Sequence, residues 1–193
     1  YRELLSELDI KVPELPVQIT TEAVGKFSPE EQFEVIKLVQ PESASVALIE
    51  MMPNIKEPRL AQNFYNFSIE NNIQIQHILY SVEDLKLFKK AIELNVIPKK
   101  NLQVLYVLGR YDKNFQSKKE DLDKFLQEHK NIVCEIDWGI CAFGRSETDC
   151  LIKSNLNGGK VRVGFENNFY NQDGTLASSN AERVAEVSKL INA

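Results

Sequence analysis

The chain predicts an α/β fold built around a parallel sheet, and three observations carry that reading. Six short runs rich in β-branched residues follow one another, each succeeded by a segment of helical periodicity. Most of these runs are nearly continuous in Val, Ile and Leu, as in strands covered by helices. Polar residues gather at their C-terminal ends, at Thr20-Thr21, Glu50, Tyr80-Ser81, Gly109-Arg110 and Glu166-Asn167. Open α/β sheets and (β/α)8 barrels both place their chemistry at that end, so the pattern leaves both architectures open. No Gly-x-Gly-x-x-Gly follows any strand, which counts against a dinucleotide-binding sheet.

The elements run in order. "YRELLSELDIKVPEL" reads as the end of a helix with Leu4, Leu5 and Leu8 as its apolar stripe, then a proline-marked loop. The first strand is Pro16 to Thr21. Its helix opens with Ser28 as N-cap, Pro29 at the first helical position and Glu31 in the capping-box place, and carries Phe33, Ile36 and Val39 at helical spacing. Ala44 to Glu50 forms the second strand, followed by the helix in "EPRLAQNFYNFSIENN". Ile73 to Tyr80 forms the third, and Ser81 caps the next helix with Asp84 three residues on. Leu102 to Gly109 precedes "SKKEDLDKFLQEH", where His129 reads as a helix C-terminal cation. Asn131 to Cys141 precedes a short polar helix near Ser146 to Ser154, and Lys160 to Glu166 precedes "NAERVAEVSKLI".

Composition sets outer limits. The 193 residues, 43% hydrophobic and 26% charged, fit one soluble globular domain over residues 1–193. Net charge is -5 and the lysines stand singly or in pairs, which argues against a nucleic-acid surface. Cys134, Cys141 and Cys150 are odd in number and lack CxxC spacing, so they read as thiols in a reducing compartment. No apolar run approaches the ~20 residues needed to span a bilayer. No signal peptide precedes Tyr1, and a cytoplasmic location is expected.

The stretch "GGKVRVGFENN" concentrates unusual residues. Read as a strand, it puts Val161, Val163 and Phe165 on one face and Arg162, Gly164 and Glu166 on the other. A cation and a carboxylate in an apolar strand are costly to bury unless they pair or bind something. Two readings stand: a structural Arg162–Glu166 ion pair, or a metal or anion site. His77, at a polar position of "IQIQHILY", likewise reads either as a satisfied core residue or as a ligand or base.

Three stretches, "PESASVALIEMMPN", "GGKVRVGFENNFY" and "GTLASSNAERV", resemble the β-keto acid cleavage enzyme family, and the likeness runs from the first residues to the last. The resemblance implies a (β/α)8 TIM barrel and a zinc enzyme that exchanges an acyl group between a small β-keto acid and acetyl-CoA. By the same resemblance Glu166 is a carboxylate zinc ligand, and Arg162 is the cation near the substrate carboxylate or the catalytic base. Thr21, or its neighbour Thr20, is a hydroxyl at the substrate, and Ser45 stands where the family usually has threonine. Assembly as a dimer or tetramer is implied as well.

Departures from the family pattern accompany the likeness. Its other zinc ligands form a His-x-His motif, whereas the two histidines here, His77 and His129, are far apart. Those ligands are expected before Tyr1, together with one or two strand-helix units, because six strands cannot close an eight-stranded barrel. Asn167 occupies the place of an aspartate general base and cannot accept a proton at neutral pH. By the resemblance His77 takes the place of one of the family's acids, which orients the arginine and base. Trp138, Cys141, Phe143 and Gly144 likewise fall where the family has the strand and loop leading to its acyl-CoA contacts, and by that resemblance Arg145 or Ser146 at the following helix start is expected to meet a phosphate. Packing of Trp138 and helix capping by Ser146 are the plain alternatives. The expected function is zinc-dependent cleavage of a β-keto acid with acyl transfer. The alternative is a catalytically impaired relative that binds a small acid or acyl-CoA, or serves as a scaffold.

Overall fold

Several strands are shorter than the apolar runs that announce them. In the computed structural model, which describes residues 1–110 and 114–192, the strands are β1 (Gln18–Thr20), β2 (Ser43–Ala47), β3 (Gln74–Leu79), β4 (Gln103–Leu108), β5 (Asp137–Ala142) and β6 (Lys160–Val161). They are ordered in one sheet as in the chain, and β1–β2, β2–β3 and β5–β6 are parallel. The helices are α1 (Arg2–Lys11), α2 (Pro29–Val39), α3 (Leu48–Met51), α4 (Arg59–Glu70), α5 (Val82–Glu93), α6 (Asp121–His129), α7 (Glu147–Leu156) and α8 (Asn180–Ile191). This alternation is the α/β pattern expected.

Helix starts follow the capping chemistry. The Ser28 side chain accepts from the Glu31 N–H, and the Glu31 carboxylate accepts from the Ser28 N–H, a complete capping box. Ser81 and Asp84 do the same work for α5: Asp84 N–H donates to Ser81 Oγ, and its carboxylate accepts from the Ser81 hydroxyl and the Tyr80 N–H. Ser179 caps α8 by accepting from the Glu182 N–H.

Three strand boundaries depart from expectation. β2 stops at Ala47 because Leu48–Met51 turns into α3, where Glu50 accepts a hydrogen bond from the Ala23 N–H at 2.9 Å. Burial raises the Glu50 pKa against that bond. β5 begins only at Asp137, because Asn131 and Ile132 spend their N–H groups on the carbonyls of Glu128 and His129, and Val133 is left fully exposed. β6 ends at Val161, so Gly164, Phe165 and Glu166 lie in a turn rather than a strand.

Two compact units make up the chain: Tyr1–Ile78 with Leu87–Gln103, and Leu79–Lys86 with Val104–Ala193. In the first, Phe33, Phe64 and Phe67 pack edge to face under β1 and β2's helices. In the second, Tyr106 stacks on Phe125 and meets Trp138 and His129. The Tyr106 hydroxyl bonds His129 Nδ1 at 2.6 Å, and burial lowers that imidazole's pKa. His129 does close α6, but as a half-buried partner of tyrosine rather than a free terminal cation. Among the described residues, no helix is long and apolar enough to cross a membrane.

The glycine pair has separate reasons. Gly158 follows α7 with φ of +81°, the left-handed turn that ends helices. At Gly159 a Cβ would sit 2.3 Å from the Trp138 ring and 2.5 Å from Ser154 Oγ, so only glycine lets β6 approach β5 there.

Candidate functional site

The residues singled out in the sequence fall into two groups, one in each unit. In the first unit, parallel register aligns Thr20 with Ser45 and Ser45 with Gln76. Side chains of aligned residues share a face, so Thr20, Ser45 and Gln76 form a polar row. Thr20 is exposed and its Oγ1 accepts from the Glu22 N–H, while Ser45 is buried. Thr21 is buried too, and both its N–H and its hydroxyl donate to the Ser45 carbonyl at 3.1 Å. That makes Thr20 and Ser45 the hydroxyls presented on the row, with Thr21 tying β1 to β2.

His77 does not join them. It aligns with Val46, on the opposite face of the sheet, where its ring packs between Tyr65 of α4 and Phe88 of α5. Its Nδ1 lies 2.9 Å from the Gln103 carbonyl, and burial drives its pKa down to about 4. The expectation that His77 stands beside the arginine and base therefore gives way to a neutral imidazole in the helix-covered layer.

In the second unit, Arg162 still donates its N–H to the Ile140 carbonyl, so its side chain falls on the face of Cys141 rather than that of Trp138. Nη2 reaches Cys141 Sγ at 3.4 Å and the Glu166 carboxylate at 3.4 Å. The pair is open to water, with Glu166 62% and Arg162 39% exposed, and exposed pairs of this kind contribute little to stability. Arg162 Nε is buried and has no partner among the described residues. The guanidinium is thus held in place and left with unused donors.

The chain turns sharply next. Asn167 N–H donates to the Gly164 carbonyl at 2.9 Å, and its own carbonyl accepts from Gly144 N–H at 3.1 Å. The Asn167 side chain is buried with Nδ2 unpartnered, whereas Glu166 points to solvent. Asn168 anchors the turn, donating to the Glu147 carboxylate at 3.2 Å and the Tyr170 carbonyl at 2.7 Å.

Beneath that turn lies an ion pair that pattern reading missed. Arg183 of α8 and Glu147 of α7 are both fully buried and 2.7 Å apart, and Arg183 also contacts Thr148 and Glu186. Burial raises the Glu147 pKa against the pull of Arg183 and Asn168. The one available signal was spacing: Arg183 stands four residues before the buried Val187, on the same side of α8.

Of the two plain alternatives for the loop after β5, packing of Trp138 holds and capping by the Ser146 side chain does not. Trp138 packs against Tyr106 and His129, and Ser146 precedes α7 without a side-chain cap. Arg145 lies 3.9 Å over the Tyr170 ring. Gly144, at φ of +88°, leaves no room for a Cβ beside Gln116. The thiols of Cys141 and Cys150 are buried, which pushes each pKa up to about 11.

A zinc centre needs three or more protein ligands. Glu166 offers one carboxylate, but the described residues contain no group of three His, Cys, Asp or Glu able to hold a metal. By themselves they do not fit such a centre.

Comparison with known proteins agrees with the geometry at the level of family. A family model described as beta-keto acid cleavage enzyme matches residues 1–193. The chain is 38% identical over 60 residues to the 3-keto-5-aminohexanoate cleavage enzyme of Acetoanaerobium sticklandii, covering 31% of this chain and 22% of that protein. It is 42% identical over 53 residues to the enzyme of the same name from Fusobacterium nucleatum subsp. nucleatum, covering 28% and 20%. The aligned stretches span about a fifth of either relative's length. The match over the whole chain, on a parallel sheet alternating with helices, shows that the chain belongs to the beta-keto acid cleavage enzyme family, whose fold is the TIM barrel.

Proposed function

We propose that the protein cleaves a small β-keto acid and transfers an acyl group to or from acetyl-CoA. Family membership supports the reaction class. The observation that carries the substrate reading is Arg162: a guanidinium held beside Cys141, weakly paired with Glu166, and with Nε unpartnered. A planar cation with spare donors is suited to a carboxylate. In the second unit Arg162 would hold the substrate carboxylate; in the first, Thr20 and Ser45 present hydroxyls on one row, and Thr21 ties β1 to β2. Glu166 is the one metal ligand we assign to this chain. The described residues do not by themselves complete a zinc centre.

One observation favours a second reading, that of a catalytically impaired relative that binds a small acid or acyl-CoA. The side chain in the place of the general base is the neutral amide of Asn167. An amide takes no proton at neutral pH, and losing a general base costs ~10²- to 10⁴-fold in rate.

Acyl-transfer assays of the intact protein, with a panel of β-keto acids and zinc content measured on the same sample, test both readings. If the protein is a weakened enzyme, Asn167→Asp raises kcat at least tenfold and Arg162→Gln raises KM. Zinc at about one per chain supports Glu166 as a ligand. No turnover by either wild type or Asn167→Asp, in zinc-loaded protein, leaves the binding reading and rejects the enzyme.

A further inference from the structure

At the N-terminal end of β3, on its helix-covered side, lies a cavity of about 150 Å³. Two of its lining side chains are nearly inaccessible and end in polar atoms without a partner: Tyr65, 3% exposed, with its hydroxyl free, and His77, 2% exposed, with Nε2 free. Buried polar atoms are nearly always satisfied, so an unpaired pair facing one cavity calls for an occupant. Ile73, Ile75 and Ile97 supply apolar wall, and the exposed Lys100 stands at the outer side.

The chemistry of the two atoms defines that occupant. Because the Gln103 carbonyl can only accept, His77 Nδ1 carries the ring proton and Nε2 presents a bare lone pair. Burial keeps the ring neutral near pH 7 and keeps the Tyr65 hydroxyl protonated. The cavity lining therefore offers one acceptor, His77 Nε2, and one donor, the Tyr65 hydroxyl, on rings whose centroids lie 5.4 Å apart. A carboxylate would set an acceptor against Nε2, so the β-keto acid is a poor match. A single hydroxyl satisfies both atoms, donating to His77 and accepting from Tyr65, and the volume suits a benzene-sized body.

We propose that this cavity is a binding site for a small, neutral, hydroxyl-bearing ring compound, separate from the face that carries Ser45. Its ligand would act on the protein from the helix layer rather than compete with substrate.

Phenol and toluene are the probes, being alike in shape and differing in the hydroxyl. Each is titrated into the intact protein, and binding is followed through the His77 imidazole signal in ¹H–¹³C spectra. Phenol should bind at least about 2- to 12-fold more tightly than toluene, the range that one of its two hydrogen bonds contributes. The His77 signal should shift on saturation, and Tyr65→Phe should shrink the preference. His77→Phe, which keeps a ring between Tyr65 and Phe88, should shrink it too. Equal binding of phenol and toluene by wild type overturns the proposal, as does a stationary His77 signal, and either result assigns the two polar atoms to water alone. A phenol preference unchanged in both variants also overturns it.

Discussion

Lowering the pH should unfold this protein partly through His77. The imidazole is wedged between Tyr65 and Phe88, and its pKa falls from 6.5 to about 4 because burial penalises the charged ring more than the Gln103 carbonyl favours it. Above pH 6.5 the ring is neutral whether the chain is folded or not, and this group makes stability independent of pH. Between pH 6.5 and 4 the unfolded chain takes up a proton that the folded chain refuses, so stability falls as pH falls. Below about 4 both states are protonated and the loss stops growing. A difference of about 2.5 pKa units corresponds to about 3 kcal/mol at the acid end, with most of it spent by pH 4.5. Urea midpoints measured from pH 7.5 to 4.5 on wild type and His77→Phe isolate the effect, since His129 and the carboxylates remain in both. The wild type should lose about 2–3 kcal/mol more than the variant over that range. With only two histidines in the chain, NMR gives an independent check: the His77 signal should fail to titrate near pH 6.5. Parallel pH profiles for the two proteins, or a His77 signal that titrates normally, would refute the placement of this ring.

Two further outcomes follow from packing. Gly159→Ala should lower stability by about 1–3 kcal/mol in a denaturant titration, because the new methyl meets the Trp138 ring and Ser154 Oγ within 2.5 Å. The same change should perturb the fluorescence of Trp138, the only tryptophan. Arg183→Met should cost about 3–5 kcal/mol by leaving Glu147 charged and buried, and Arg183→Met with Glu147→Gln should recover part of that loss. A double variant no more stable than the single one would mean that Glu147 is not the partner that matters.

Helix starts were the most legible part of the fold. Ser28 with Glu31 and Ser81 with Asp84 satisfy one another across three residues, so the signal is local and needs no tertiary knowledge. Strand ends were less legible for a physical reason. Leu48, Ile132 and Val163 extend apolar runs past the ladder, and nothing in a run says where N–H groups find a nearer acceptor. The face of β3 was illegible for a related reason. Ile75 and Leu79 are buried on the side of His77, while Ile78 is buried on the other. A strand apolar on both faces yields its alternation but not which side the helices cover. Arg162 was easier, since its neighbours in the ladder carry the glycine pair and Trp138, which fix the register of β6.

The two asparagines after Glu166 divide the work of the turn between them. Asn168 uses both ends of its amide, accepting from the Tyr170 N–H while donating to Glu147 and the Tyr170 carbonyl, so it fastens the loop to the buried Arg183 pair. Asn167 holds the turn through its backbone alone, toward Gly164 and Gly144, and its side-chain nitrogen bonds nothing described. The fold therefore uses the amide of Asn168 for its bonds, and at position 167 a backbone together with a small buried side chain. If position 167 has the proposed role, Asn167→Asp puts a proton acceptor in the same buried place and turnover rises; if turnover is unchanged, the buried amide only fills the turn.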